Sequence, residues 1–145
     1  MSDAFPRIGE VREQRAGLRT TMQVVEAAAA APVAGGAEAW RVELDRCLDQ
    51  LRQAWDRHIA VTEAADGLFA RIRVDAPQLV PRIHQLDREH ADIQAVLADF
   101  ASDRRHDVDR VREAVIDLQA KLTRHRQHGA DVVYEAYSVD LGGAG

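Results

Sequence analysis

Apolar residues recur every three or four positions along most of the chain, a spacing that predicts amphipathic helices rather than strands. Proline, glycine and helix-capping residues interrupt this pattern at three places: 31–36, 75–81 and 102–107. Four helices are therefore predicted, and they start near Arg7, Ala37, Pro77 and Val108. Asp75 is the expected cap of the third helix, and Pro81 is expected to distort its opening turns. We expect Gly67 to loosen the end of the second helix and Asp103 or Asp107 to cap the fourth.

Four amphipathic helices with short connections predict an all-α fold, an antiparallel up-down-up-down four-helix bundle. The 145 residues suit a single domain, 1–145, with a sizeable core. Residues 134–145 are expected to form a tail after the last helix.

Three of the six histidines fall on apolar stripes, where a polar side chain needs a reason: His58, His90 and His125. His58 and His90 are nearly equidistant from the turn near residue 75, so the two should lie at the same level. His125 reaches that level if the next turn is centred near residue 107. If the turn is near Ser102, His125 misses the level by about ten residues, or ~15 Å. A shared layer therefore requires the third helix to extend past Ser102.

Three imidazoles that converge from different helices are a common way for a bundle to hold a metal ion. Neutral imidazole binds zinc, iron and copper. Trp55, one turn before His58, would wall such a site, and Asp87, one turn before His90, would orient its ring. The alternative is that each histidine is a core residue hydrogen-bonded to its surroundings, and the pattern leaves both interpretations open.

Three segments resemble the hemerythrin-like HHE cation-binding domain: "HIAVTEAADGLF" (58–69), "REH" (88–90) and "HRQHGADVVY" (125–134). The resemblance covers nearly the whole chain and places Val133 and Tyr134 in the family's Leu-Phe positions. It implies a four-helix bundle that holds a non-haem di-iron centre with histidine and carboxylate ligands. Members of the family bind oxygen, or are implicated in iron handling or in the sensing of oxygen and nitric oxide.

Several ligand positions of that family are substituted in this chain. The first histidine corresponds to Gln14 or Arg15, and the two carboxylates correspond to Thr62 and Gly129. Glu63 is displaced from the first carboxylate position by one residue, about 100° around the helix. We therefore expect no ordinary di-iron centre. The remaining hypotheses are an empty, degenerate site or one zinc or iron ion held by His58, Glu63, His90 and His125.

Charge and composition narrow the classes of partner. The net charge is −5 and no basic stripe occurs, which argues against nucleic acid as a partner. The start of the chain lacks the apolar segment of a signal peptide, and no segment is apolar enough to span a membrane. With a single cysteine, these features predict a cytoplasmic, soluble protein of bacterial type without a membrane partner.

No catalytic triad, phosphate-binding loop or pair of catalytic carboxylates is present in the sequence, so enzymatic activity is disfavoured. Two hypotheses on function remain. The first is a hemerythrin-like protein that binds non-haem iron or zinc, with O₂ or NO as a further ligand and a role in oxygen, nitric oxide or redox response. The second is a metal-free bundle that acts as a structural or protein-interaction module.

Overall fold

The computed structural model describes residues 8–103 and 107–138, and these residues are helical apart from short connections. Within these ranges, five α-helices follow one another: α1 Ile8–Ala30, α2 Ala37–Glu63, α3 Leu68–Asp75, α4 Val80–Ser102 and α5 Val108–Tyr137. A 3-10 turn, Pro77–Leu79, leads into α4. Asp75 is the last residue of α3 and not the cap of α4, so that expectation was wrong. The four long helices form a helical bundle, and the described ranges contain no strand. α5 includes the first four residues of the expected tail, 134–137, while 139–145 lie outside the described residues.

The break inside the predicted second helix has a steric cause. A Cβ atom on Gly67 would lie 2.6 Å from the carbonyl oxygen of Val61 and 3.0 Å from that of Ala64, so only glycine fits. The Gly67 amide donates to the Ala64 carbonyl at 2.8 Å and closes a tight turn. α2 therefore ends at Glu63, and α3 starts a separate, short helix that packs Phe69 and other apolar residues onto the core.

The other helix starts follow from local chemistry. Gly36 precedes α2 with φ of 97°, a left-handed conformation that glycine adopts without strain. The Asp107 side chain accepts a hydrogen bond from the Arg110 amide at 3.3 Å, which confirms Asp107 as the cap of α5.

Two arginines, the buried Arg41 and the half-buried Arg112, connect helix ends across the bundle. Arg41, in the first turns of α2, donates to the carbonyl of Phe100 near the end of α4 at 2.9 Å. Arg112, near the start of α5, donates to the carbonyls of Ala29 and Ala31 at the end of α1 at 2.7 and 2.8 Å. The ends of α1 and α4 and the starts of α2 and α5 therefore lie close together.

The buried apolar residues form two clusters, and their burial is the main stabilising contribution to the fold. On α4, Leu86 belongs to one cluster and Ile93 to the other. On α5, Leu122 and Val132 are divided in the same way. The stripe histidines occur between these positions, so the polar layer separates two apolar cores.

Candidate metal centre

The three stripe histidines meet in one layer of the bundle interior. His58, His90 and His125 are 8, 2 and 3 % exposed. The ring centroids are 5.1 Å apart for His58 and His90, 5.3 Å for His58 and His125, and 4.8 Å for His90 and His125. The predicted convergence of three imidazoles from three helices is therefore confirmed.

We expected His125 to reach the level of His90 only if the third predicted helix extended past Ser102, and this expectation was wrong. α4 ends at Ser102, yet His90 and His125 are level. His90 lies twelve residues before the end of α4, and His125 lies seventeen after the start of α5. The difference of five residues is ~7.5 Å of helix rise. Five connecting residues can span up to ~16–18 Å, so the two helix ends need not be level.

The ring nitrogens are spaced as metal ligands. Nε2 of His58 lies 3.2 Å from Nε2 of His125. Two nitrogens bound tetrahedrally at about 2.05 Å from one zinc ion are about 3.3 Å apart. One ligand nitrogen from each of the three rings can be chosen so that all lie within 4.8 Å of one another. Nε2 of His90 is fully buried and has no hydrogen-bond partner among the described residues, which leaves its lone pair available to an ion.

Carboxylates hold the outer edges of two rings. Nδ1 of His125 donates to Oε1 of Glu89 at 2.7 Å, and Nδ1 of His128 donates to the second oxygen at 2.6 Å. Nδ1 of His90 donates to the carboxylate of Glu63. A ring that donates its Nδ1–H to a carboxylate keeps Nε2 unprotonated, and this arrangement is common behind metal-bound histidines.

Glu89 was not predicted to be near the layer, and His128 was expected on a solvated face of the last helix with Asp131 and Glu135. Each is displaced from the core stripe of its own helix, so helical periodicity gave no reason to connect it with the layer. The adjacency of Glu89 to His90 and the three-residue spacing of His128 from His125 were the available signals. Neither signal shows which residues of α5 lie opposite α4.

Burial favours the neutral forms of His58 and His90. Burial lowers the pKa of His58 well below its ordinary value, and the neighbouring rings and Arg15 lower it further. Burial also lowers the pKa of His90, although the hydrogen bond to Glu63 opposes this effect. Burial opposes ionisation of Glu89, but hydrogen bonds from the two α5 histidines outweigh it and hold its pKa below the usual range.

Aromatic side chains enclose the layer. Trp55 is fully buried, and its ring centroid lies 5.0 Å from that of His58, 5.4 Å from His90 and 5.2 Å from His125. Phe69 of α3 stacks on His90 with centroids 5.5 Å apart. The predicted wall position of Trp55 is therefore confirmed, and the separate helix α3 supplies a second wall.

Asp87 and Glu63 are near the outer edge of His90. Asp87 forms an ion pair with Arg73 at 3.3 Å rather than a hydrogen bond to the His90 ring. Oxygen atoms of Glu63 and Asp87 and a nitrogen of His90 nevertheless lie within 4.8 Å of one another, in a more exposed group.

The substituted positions face a cavity of about 20 Å³ beside the rings. Arg15 is buried, and its Nη1 donates to the carbonyl of Arg126 at 3.0 Å. The hydroxyl of Thr62 donates to the carbonyl of His58 at 2.9 Å. Gly129 supplies no side chain, and a Cβ atom there would meet nothing within 4 Å. No carboxylate is among the described residues that line this cavity.

A comparison of the sequence with protein families identifies the family of the chain. The profile of the hemerythrin HHE cation-binding domain matches residues 8–137. The chain belongs to the hemerythrin HHE cation-binding family. No curated protein and no solved structure matches the chain significantly.

Within this hemerythrin HHE domain, the two positions of the Leu-Phe pair on α5 differ. Val133 is buried, whereas Tyr134 is 58 % exposed and points away from the core. Tyr134 thus does not pack in the Phe position as expected, because it lies on the outer face of α5. Over the part of the chain that is described, no helix is both long enough and apolar enough to cross a membrane.

Proposed function

We propose that this hemerythrin HHE domain binds one divalent transition-metal ion, zinc or iron, through Nε2 of His58, His90 and His125. The observation that carries the proposal is the buried, unpartnered Nε2 of His90 beside the paired Nε2 atoms of the other two rings. A buried polar atom without a hydrogen bond destabilises the fold by about 1–3 kcal/mol, and coordination would remove that penalty.

The donor set favours one ion over two. A second ion would need further nitrogen ligands and bridging carboxylates. The corresponding positions hold Arg15, Thr62 and Gly129, and a buried guanidinium repels a cation. A di-iron centre is therefore not part of the proposal.

Glu63 was expected to be a fourth ligand, and this role stays a prediction. Its carboxylate now accepts a hydrogen bond from Nδ1 of His90, on the opposite edge of the ring from Nε2. In this position Glu63 orients the ring and raises its basicity. As a ligand, it would have to leave that hydrogen bond.

An ion held by the three imidazoles would supply Lewis-acid chemistry or, as iron, redox chemistry. Trp55 and Phe69 exclude water from the histidine layer, and Glu89 and Glu63 hold two of the rings at their outer nitrogens. By analogy with the family, we propose that the small-molecule ligand is O₂ or NO and that the role is in oxygen, nitric oxide or redox response.

Three further features belong to the proposal: the directions of the helices, the domain organisation and the location in the cell. The long helices run alternately up and down, since Arg41 and Arg112 link the helix ends that this order would bring together. Residues 1–145 form a single domain. The protein acts in the cytoplasm, in agreement with its acidic composition.

A metal-free structural or protein-interaction module is the second candidate. The observation that favours it is the arginine at the first ligand position: Arg15 lines the same cavity as His58 and His125 and adds positive charge beside the layer.

Metal titration of the chelator-treated full-length chain separates the two candidates. Zinc and iron(II) are titrated in competition with a chromophoric chelator of known affinity. Saturation at one ion per chain is expected, with loss of high-affinity binding in His58→Leu and His125→Leu. His84→Leu, which changes an exposed histidine of α4, is the matched control and should bind as the wild type does. No competition by the wild type, or equal binding by all variants, would support the metal-free module.

A further inference from the structure

The cavity beside the histidine layer is lined by two buried arginines. Arg15 is 6 % exposed and Arg126 is 4 % exposed. Thr62 and Gly129 also line it, and none of the described lining residues is acidic. The cavity therefore combines positive charge with room that Gly129 leaves open.

Arg126 lacks a partner that would compensate for its burial. Its Nε is fully buried without a hydrogen bond, and no acidic group among the described residues is paired with its guanidinium. Arg41, a second buried arginine of this chain, is by contrast paired with Asp45 at 2.8 Å and bonded to the Phe100 carbonyl. Burial, together with the charge of Arg19, lowers the pKa of Arg126. A buried cation without a counter-charge is unfavourable, and an anion at this place would relieve the cost.

We propose that this cavity binds a small monovalent anion, with the guanidinium of Arg126 as its principal donor and Arg15 as the second charge. The available space of about 20 Å³ admits about one water-sized group at a time. The occupant is therefore a small anion, with chloride, nitrite and formate as the candidates to test. Charge-assisted hydrogen bonds from guanidinium groups are the interaction that recognises such anions.

The anion site does not depend on the metal ion, because its charge comes from Arg15 and Arg126. An ion held by the neighbouring rings would add attraction for the anion. Because the charges of the arginines remain when the metal is removed, the two proposals can be tested separately.

The test is thermal unfolding of the full-length chain at fixed ionic strength, with gluconate replaced stepwise by chloride, nitrite or formate. Gluconate is too large for the cavity and serves as the reference anion. A saturable rise in the melting temperature is expected, in untreated and in chelator-treated protein. Arg126→Met should raise the apparent dissociation constant at least about tenfold, since it removes a charge-assisted donor. Arg12→Met, which removes an exposed arginine of α1, should leave the constant unchanged.

A second variant keeps both arginines and removes the space. Gly129→Leu fills the cavity, and a Cβ atom at this position meets no neighbour within 4 Å, so the helix should tolerate it. Loss of the anion effect in this variant would support the cavity as the site. The proposal is overturned if small anions stabilise the chain no more than gluconate does, or if both Arg126→Met and Gly129→Leu still respond. It is also overturned if the effect disappears on chelation, because the anion would then be a ligand of the metal ion.

Discussion

Replacement of His90 by leucine should change stability in opposite directions with and without metal. In the chelated protein, His90→Leu removes a buried nitrogen that has no hydrogen-bond partner. Its removal should raise the free energy of unfolding by about 1–3 kcal/mol. The variant also loses the hydrogen bond to Glu63. Because Glu63 is 39 % exposed and can be hydrated again, that loss is about 0.5–1 kcal/mol. Leucine and histidine have similar volumes, so no large cavity results.

The expected result for the chelated variant is a free energy of unfolding about 1 kcal/mol higher than that of the wild type, or about 2–4 °C in melting temperature. With zinc at a hundred times its dissociation constant, the wild type should gain about 2.7 kcal/mol and the variant almost nothing. The order of the two stabilities then reverses.

Urea unfolding at pH 7.5, followed by circular dichroism with chelator and with excess zinc, measures both states. His84→Leu is the control, since the same substitution at an exposed position of α4 should change stability by less than about 0.5 kcal/mol and leave the metal response intact. The reasoning is refuted if His90→Leu is less stable than the wild type in chelator, or if zinc stabilises both proteins equally.

Three further predictions follow from the same contacts. Because burial lowers the pKa of His58 in the folded chain, the unfolded chain takes up this proton first, and the metal-free protein should lose up to about 1.4 kcal/mol of stability per pH unit below pH ~6.5. Urea unfolding from pH 7.5 to 5 measures this slope, which His58→Leu should flatten; an unchanged slope would contradict the assignment. Glu89→Gln should weaken zinc binding about 10–100-fold in chelator competition, whereas His128→Gln, which alters only the outer contact, should have a much smaller effect; equal losses would count against the orienting role. Gly129→Ala should stabilise the chain by about 0.5–1 kcal/mol, but Gly67→Ala should destabilise it by more than ~1 kcal/mol because its Cβ would meet backbone atoms. Urea unfolding measures both changes in the free energy of unfolding, and changes of the same sign would refute the steric argument.

The helices and the histidine layer could be predicted from the sequence because both follow from one periodicity. A residue on an apolar helix stripe is buried in almost any packing of that helix, so His58, His90 and His125 were identifiable. Their levels along the bundle were harder to predict, since helix ends on either side of 103–107 need not coincide. The requirement that α4 pass Ser102 failed for this reason.

The surroundings of the layer depend on contacts between helices that a single sequence does not contain. Glu89 serves two rings of α5 only because α4 presents that face to α5. Arg15 could be recognised as a candidate for the position where the family has its first histidine. Its place in the wall of a cavity that Arg126 also lines could not be predicted. The end of α2 at Glu63 depends on a backbone approach at Gly67 that composition alone does not reveal.

X-ray absorption spectroscopy of the full-length chain, loaded with one equivalent of zinc or iron, identifies the atoms that bind the ion. We expect one ion per chain, with imidazole nitrogens from three histidines as ligands and one fewer imidazole in His90→Leu. A first shell without imidazole, a metal–metal distance from a second ion, or a spectrum that His90→Leu leaves unchanged would contradict this expectation.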